Sequence, residues 1–242
     1  MEIDVVGGIA YIADQFNGLR IVNVSDPLNP TMLDLYGSTD QIMDVQVEGD
    51  IAYVADWDRG LIILNISDPT NAIELDHYSL SGACVHAEIS GSYAYCVDHY
   101  GDYSSLVVLD ASDPENISYV GSHIQLDVDF WNPIVKDNLV YIGDHSAGSH
   151  CFHILDVENP TNIQEVGLYN KAGMTAFYID GNHLFSANCE RGLEIYDITD
   201  PVNPKKIGRF YDGGESYDVK VVGNIAYIAD SEDGLEIIEL QL

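Results

Sequence analysis

Positively charged side chains are scarce in this chain. Its 242 residues include nine Lys and Arg against forty Asp and Glu, which gives a formal net charge of −31 at pH 7. Nucleic-acid binding depends on basic side chains that neutralise phosphates, so DNA and RNA are poor candidate partners. Anionic membrane surfaces are disfavoured for the same reason. The excess of carboxylates fits solubility or adaptation to salt, and it leaves cation binding open.

Long apolar runs and short functional motifs are also missing. No stretch approaches the roughly 20 apolar residues of a membrane span, so direct membrane insertion is not expected. The first residues, MEIDVVGGIAYIAD, do not have the pattern of a signal peptide. The four cysteines follow no CxxC spacing and indicate neither a zinc ribbon nor a redox pair. The sequence contains no GxSxG, HExxH or phosphate-binding loop, so no catalytic residue is assigned.

An internal repeat dominates what the sequence does contain. An aromatic residue inside an apolar segment recurs roughly every 42 to 46 residues. Examples are IAYIAD around Tyr11, IAYVAD around Tyr53 and YAYCVD around Tyr95. A second motif follows it, as in GLRIVNVSDP, GLIILNISDP and GLEIYDITDP, and a third precedes it, as in DVQVEGD and DVKVVGN. Two motifs in register over six units indicate a repeat protein.

Each unit is interpreted as four short strands, A to D. The segments are rich in Val, Ile and Tyr, are bounded by Gly, Asp and Pro, and show no sustained helical period. Four strands cannot cover both faces of their own sheet, whereas radial packing of such sheets around an axis does. The sequence therefore predicts an all-β, six-bladed β-propeller in one domain over residues 1–242. The blades are expected at about 1–38, 39–80, 81–125, 126–170, 171–212 and 213–242.

The last unit differs from the others at its end. It stops after the strand C motif GLEIIEL, so the last blade is expected to lack its outer strand. We expect either that the chain is part of a longer polypeptide or that a neighbouring molecule covers this edge.

Two recurrent aspartates are interpreted as structural. One ends strand B, as at Asp14 and Asp56, and the other stands in the SDP corner, as at Asp26 and Asp68. Aspartate side chains accept hydrogen bonds from the N–H groups of turns, which explains their recurrence without a ligand.

The strand C motif resembles a known repeat. LVVLD at residues 106–110, together with IVNVSDP, ILNISDP and IYDITDP, is similar to the LVIVD repeat of bacterial and archaeal surface proteins. The resemblance implies a propeller that is often exported or located at the cell surface, and usually one module of a longer polypeptide. The family offers no catalytic residues to carry over. Because the chain shows no export signal, a cytoplasmic location stays open.

Function is expected on the face where strand A begins and the B–C loop opens, by analogy with other propellers. Units 3 and 4 depart most from the repeat, since their B–C loops are longer and contain several histidines. The candidate ligand-binding residues are Asp44, Trp57, His86, His99, Tyr100, Asp102, Trp131, Asn132, His145 and Asp218.

Three interpretations of this face compete. The favoured one is a recognition or scaffold module that binds a partner protein or a glycan, with aromatic rings for apolar contact and carboxylates for polar groups. The second is a metal site, either zinc on His86, His99 and His145 or calcium on a carboxylate ring of Glu2, Asp44 and Asp218. The third is a hydrolase or lyase in which His86 or His99 acts as general base beside Asp44 or Asp102.

Overall fold

The structure is a computed structural model of the chain. It describes residues 2–37, 41–146, 151–169, 176–188, 191–211, 213–231 and 234–241. The described residues contain strands and turns and no helix, and thus no helix long and apolar enough to cross a membrane. They form two compact units, namely unit 1, residues 1–127 with 160–162, and unit 2, residues 128–159 with 163–242.

Unit 1 carries the first three blades, each an antiparallel sheet in which the strands follow one another in chain order. Blade 1 consists of β1 Ile3–Val6, β2 Ile9–Ala13, β3 Leu19–Asn23 and β4 Thr31–Tyr36. Blade 2 consists of β5 Ile42–Glu48, β6 Ile51–Asp56, β7 Gly60–Asn65 and β8 Ile73–Tyr78. Blade 3 consists of β9 Ala83–Ser90, β10 Tyr93–Tyr100, β11 Tyr103–Asp110 and β12 Ser118–Leu126.

Unit 2 carries the other three blades. Blade 4 consists of β13 Phe130–Lys136, β14 Leu139–Asp144, β15 Cys151–Asp156 and β16 Gln164–Tyr169. Blade 5 consists of β17 Ala176–Asp180, β18 His183–Ala187, β19 Leu193–Asp197 and β20 Lys205–Phe210. Blade 6 has three strands, β21 Ser216–Val222, β22 Ile225–Asp230 and β23 Gly234–Glu239. The six sheets are the blades of a β-propeller, which confirms the predicted fold and the missing outer strand of the last blade.

The core lies between successive blades. Each cluster combines the repeat aromatic and the two apolar residues of strand C in one blade with strands A, B and C of the next. In unit 1, for example, Tyr11, Leu19 and Ile21 pack with Val45 and Val47. Alternating side chains of a strand point to opposite faces, so the GLxI pattern delivers two apolar residues to one face of the blade.

Side chains on strand A join neighbouring blades in unit 1. Asp4 Oδ2 accepts a hydrogen bond from the backbone N–H of Val47 at 2.8 Å. Gln46, at the same repeat position in blade 2, accepts from the N–H of Ile89 at 2.7 Å. These bonds satisfy backbone groups along strand A and fix the stagger of one blade against the next.

A second set of joints lies on strand D. Asp34 Oδ2 accepts from the N–H of Ala72 at 2.8 Å, and Asp76 Oδ2 accepts from the N–H of Ile117 at 2.9 Å. Both aspartates thus bind the corner loop of the following blade.

The recurrent aspartates have the structural role that the sequence predicts. Asp56 Oδ1, at the end of strand B, accepts from the backbone N–H of Arg59 at 2.9 Å. In the SDP corners, Asp26 accepts from the N–H of Leu28 at 3.1 Å and Asp68 from the N–H of Thr70 at 3.0 Å. These bonds close the turns at both ends of strand C.

Blade 6 presents apolar residues that other blades bury. Leu235 and Ile237 on β23 are 63% and 62% exposed, whereas their counterparts Leu61 and Ile63 in blade 2 are fully buried. In blade 2 the residues of blade 3 cover these positions. Leu235 and Ile237 lie on a face of the blade 6 sheet, whereas the missing outer strand would pair with β23 at the edge of that sheet. That another polypeptide segment covers this edge stays a prediction.

Candidate functional site

The pairing of strands A and B defines the candidate face. In blade 2 the first residue of strand A, Ile42, pairs with Asp56 at the end of strand B. The start of strand A and the B–C loop therefore lie at the same end of the sheet. Gln15 of the first B–C loop forms an isolated bridge to Ile42, which connects that loop to the start of the next blade. Loops of successive blades are thus fixed by backbone hydrogen bonds at this face.

Three successive B–C loops of unit 1 each expose an aromatic side chain. Phe16, Trp57 and Tyr100 are 72%, 37% and 52% exposed. We call these three residues the aromatic row. The sequence analysis named Trp57 and Tyr100 but did not name Phe16, which stands two residues after its strand B aspartate, Asp14, whereas Trp57 follows Asp56 directly.

Two predicted site residues of unit 1 lie next to each other. His86 Nδ1 is 3.5 Å from Asp44 Oδ2, and the His86 side chain is only 9% exposed. The same carboxylate accepts hydrogen bonds from the backbone N–H of Val45 at 2.8 Å and of Ala87 at 3.1 Å. Asp44 therefore positions His86 and also joins two blades.

The other predicted residues of unit 1 lie around the blade 3 hairpin. His99 is half-buried near the end of β10, and the ring of Tyr100 lies 5.4 Å from that of Tyr103. Asp102 is exposed in the turn, and its backbone carbonyl accepts from the N–H of Asp127 at 3.0 Å. The extra residues of blade 3 extend β10 and β11 and do not lengthen the loop, contrary to the expectation from the sequence. Only Gly101 and Asp102 connect these two strands, and Tyr100 of the aromatic row is the last residue of β10.

In unit 2 the rings of Trp131 and His145 are stacked, with centroids 5.9 Å apart at an interplanar angle of 17°. Asn132 follows with a positive φ of 45°, at an irregularity in the pairing of β13 with β14. The backbone N–H of His145 donates to the carbonyl of Asp129 at 2.8 Å. Trp131 and His145 therefore form a preformed ring pair on blade 4.

In blade 6, Asp218 is exposed on β21 and accepts from the N–H of Val219 at 2.8 Å.

Blade 4 also contains a buried polar cluster that the sequence analysis missed. Cys151 Sγ lies 3.5 Å from Asp144 Oδ2 and 3.8 Å from His153 Nε2. The distance between that nitrogen and that carboxylate oxygen is 3.9 Å. On the other side of the ring, His153 Nδ1 lies 2.9 Å from Glu165 Oε2. Asp144, Cys151 and His153 are all buried, and they are a group whose ligand atoms could hold a metal ion.

Electrostatics in this cluster favour a charged histidine in the metal-free protein. Burial alone would lower the pKa of His153, but the hydrogen bonds with Asp144, Cys151 and Glu165 outweigh it and raise the pKa to about 10. Burial likewise opposes the charge of Asp144, yet contacts with His153 and two backbone N–H groups hold the pKa of that carboxyl well below its usual range.

A repeat comparison could have found this cluster. The register of β14 and β15 pairs Asp144 with Cys151, and the same pairing in blade 2 joins Asp56 to Gly60. The sequence analysis looked for histidines in the longer B–C loops and did not compare the strand C residues position by position.

The three-histidine site, with His86 and His99 in unit 1 and His145 in unit 2, stays a prediction, as does the calcium ring of Glu2, Asp44 and Asp218.

The repeats agree with a known family. The sequence profile of the LVIVD repeat matches residues 1–38, 41–79, 82–124, 131–171 and 213–239. The unmatched part contains blade 5, whose four strands nevertheless follow the same order as those of the matched blades. At the sequence level, a comparison with characterised proteins gives no significant match.

Solved structures with the same fold are distant in sequence. A functionally unknown protein from Desulfotomaculum acetoxidans has a TM-score of 0.79 at 13% identity, covering 97% of this chain and 76% of that protein. The β-propeller domain of Cps50 (Swd1) from Myceliophteria thermophila has a TM-score of 0.77 at 10% identity, covering 99% and 83%. BamB from Moraxella catarrhalis has a TM-score of 0.66 at 14% identity, covering 98% and 84%. At these identities the likeness shows the propeller fold alone.

Proposed function

The chain belongs to the LVIVD-repeat family, and from that premise we propose that it is a recognition module that binds a partner protein through the B–C loop face of unit 1. The aromatic row carries this proposal. Phe16, Trp57 and Tyr100 occupy one loop of each of three successive blades, and all three are exposed. Large aromatic side chains are enriched at protein interaction surfaces, where a few such residues contribute most of the binding energy.

The negative charge of the chain indicates which kind of partner protein this face would bind. The net charge is −31, and two carboxylates, Asp58 and Asp102, stand in the same loops as the aromatic row. Complementary charge accelerates encounter and excludes like-charged partners. The partner is therefore proposed to present a basic segment, and the affinity should fall as the salt concentration rises.

A glycan is the second candidate ligand. Exposed rings beside carboxylates and histidine provide both the apolar contact and the hydrogen-bond acceptors that sugar rings require. Tyr100 and Asp102, in the blade 3 hairpin, favour this candidate, because an exposed ring and an exposed carboxylate lie within one turn.

The proposed location of the protein rests on its family resemblance. We place the protein outside the cell or at its surface, as part of a longer polypeptide. Protease shaving of intact cells that express the natural protein would release its fragments if the location is correct, and would leave them intact if the protein is cytoplasmic.

The test of recognition compares two triple variants on an array of Lys- and Arg-rich peptides and on a glycan array. The first variant carries Phe16→Ser, Trp57→Ser and Tyr100→Ser. The matched control carries Met32→Ser, Leu35→Ser and Ile124→Ser, which replace strand D residues that are 50%, 51% and 60% exposed. Both variants remove exposed apolar surface, but only the first alters the aromatic row.

We expect the natural protein and the control to bind basic peptides, and the first variant to bind them at least about tenfold more weakly. Binding restricted to glycans and lost in the first variant would favour the second candidate. Equal binding by both variants would contradict the role of the aromatic row.

A further inference from the structure

The buried cluster of blade 4 contains two strand C residues, Cys151 and His153, of which Cys151 departs from the glycine of the repeat. The position of Cys151 is glycine in four other blades, at Gly18, Gly60, Gly192 and Gly234. Three of those glycines leave no room for a side chain, since an added Cβ would lie 2.4, 2.1 and 2.3 Å from a strand D carbonyl oxygen in blades 1, 2 and 5. Blade 4 instead accommodates a cysteine here, so its backbone differs locally in a way that places a thiol beside Asp144.

The second residue is His153. The register pairs it with Ile142, and the same position holds Ile62 and Val107 in blades 2 and 3 but the charged residues Arg20, Glu194 and Glu236 in blades 1, 5 and 6. Residues two apart on a strand share one face, so Cys151 and His153 project to the same side of β15. Their side chains converge there on the strand B carboxylate of Asp144.

The separations of the ligand atoms in this cluster are within a few tenths of an ångström of those in a zinc site. The three ligand atoms are separated by 3.5, 3.8 and 3.9 Å. In a tetrahedral zinc site, bond lengths of about 2.0 to 2.3 Å place pairs of ligand atoms roughly 3.4 to 3.6 Å apart. A point about 2.2 Å from all three atoms exists between them, so an ion would require movements of only a few tenths of an ångström.

Further contacts hold the ligands in orientation. Glu165 binds His153 through Nδ1 at 2.9 Å, which leaves Nε2 directed at the cluster. Metal-binding histidines almost always make such a bond with their other nitrogen. Asp144 uses Oδ1 to accept the N–H groups of Asp129 and Ser146 at 3.0 and 2.8 Å, and Oδ2 lies toward the cluster, where it also accepts from the Ser146 hydroxyl at 3.0 Å. Both rotations are therefore fixed by bonds outside the proposed coordination sphere.

We propose that Asp144, Cys151 and His153 bind a zinc-class divalent transition metal ion within blade 4, with Glu165 as the positioning residue of His153. A thiolate and an imidazole favour zinc and similar ions over calcium or magnesium, which prefer oxygen ligands. Three ligands among the described residues leave one tetrahedral position for water or a small ligand. The site is independent of the aromatic row, so either proposal can fail without the other.

Cobalt(II) is the probe for this proposal, because it adopts zinc geometry and has visible absorption. The full chain is first treated with a chelator and then titrated with Co²⁺. We expect one equivalent to produce the intense d–d bands of a tetrahedral ion together with thiolate-to-cobalt charge-transfer absorption. Zinc added in equal amount should displace the cobalt and remove both signals. A titration without charge-transfer absorption would overturn the proposal.

Four variants assign the ligands. Cys151→Ser should abolish the charge-transfer absorption, whereas Cys96→Ala, which removes another buried cysteine, should leave it unchanged. His86→Gln should also leave it unchanged, whereas cobalt d–d bands that lack charge-transfer absorption and are lost in His86→Gln would instead support the three-histidine site. Glu165→Gln keeps all three ligands and should weaken binding by about 10- to 100-fold, which tests the site even if Cys151→Ser fails to fold. Unaltered cobalt spectra in Cys151→Ser would overturn the assignment.

Discussion

Blades 4 and 5 place opposite charges at the same position of strand C. In blade 4 this position is His153, bound to Glu165 on strand D. In blade 5 it is Glu194, which pairs with Lys206 at the corresponding point of strand D and accepts a hydrogen bond from Tyr196. The strand registers are the same, since Glu165 lies opposite Leu155 and Lys206 lies opposite Tyr196. The two blades therefore share the same strand register, but the charge of the side chain at this position differs between them.

The two blades differ in what surrounds the charged group. Blade 5 has Asn188 and Gly192 where blade 4 has Asp144 and Cys151. Asn188 accepts from the hydroxyl of Ser186 at 3.0 Å and donates to the carbonyl of the same residue at 2.9 Å. In blade 5 the polar groups are therefore satisfied within the blade. In blade 4 a thiol, an imidazole nitrogen and a carboxylate oxygen converge on one point, which is the arrangement that a metal ion can use.

Removing the charged imidazole of His153 in blade 4 should have the largest effect on stability. His153→Ala leaves the buried carboxylate of Asp144 without its charged partner, so we expect the free energy of unfolding to fall by about 3 to 5 kcal/mol. Urea denaturation of the chelator-treated protein measures this. The double replacement His153→Leu with Glu165→Leu should cost less, because it removes both members of an ion pair. A loss below about 1 kcal/mol for His153→Ala would mean that the charged pair is unimportant for stability.

Replacing the strand C glycine of blade 5 with alanine should destabilise the protein more than replacing the equivalent cysteine of blade 4. Gly192 has a φ of +70°, and an added Cβ would lie 2.3 Å from the carbonyl oxygen of Phe210. We expect Gly192→Ala to cost about 2 to 3 kcal/mol in free energy of unfolding, and Cys151→Ala only about 1 kcal/mol. The two variants are compared by urea denaturation. Equal losses of free energy of unfolding would contradict the inference that the backbone around Cys151 differs from that around Gly192.

Breaking the ion pair of blade 5 should have a smaller effect that depends on pH. Burial raises the pKa of Glu194, but bonds with Lys206 and Tyr196 outweigh it, and the net pKa is lowered. Lys206→Met should cost about 1 to 2 kcal/mol at pH 7, since Lys206 is 40% exposed and solvent screens the pair. A carboxylate with a lowered pKa stabilises the fold above its unfolded pKa and loses this contribution as the pH falls through its folded pKa.

The difference between natural protein and Lys206→Met should therefore shrink as the pH is lowered below about 4.5. Thermal melts from pH 7 to pH 3 measure it. Lys205→Met, which replaces the exposed neighbouring lysine, is the matched control and should show little change at any pH. A difference that stays constant with pH would show that Lys206 acts through packing of its side chain and not through its charge.

Much of the fold could be predicted because its signals are local and repeated. The aromatic residue of strand B recurs in all six units, the corner after strand C in five and the GLxI pattern in four, so an error in one unit is corrected by the others. The predicted strand order and the missing strand of blade 6 are confirmed. The hydrogen bonds of Asp34 and Asp76 on strand D were missed, although both residues lie in a Leu-Asp-x-Tyr segment, because their partners are in a different blade.

The candidate site was predicted less completely. Alignment placed Asp44 and His86 together, and the structure has them 3.5 Å apart. Phe16 was missed because the loops differ by one residue in where they place their aromatic side chain. Cys151 and His153 were passed over as parts of a core strand, since CFHILD reads as an ordinary apolar segment.

The sequence by itself determined the all-β class and the number of blades, because both depend on short-range alternation and on turn residues that act within one unit. Only the tertiary structure decided which polar atoms meet. Asp144 and His153 approach to 3.9 Å because one strand register and one local backbone adjustment bring their side chains to the same face. A shift of a single residue in that register would turn His153 to the opposite face, so the cluster depends on the pairing of strands and cannot be read from composition.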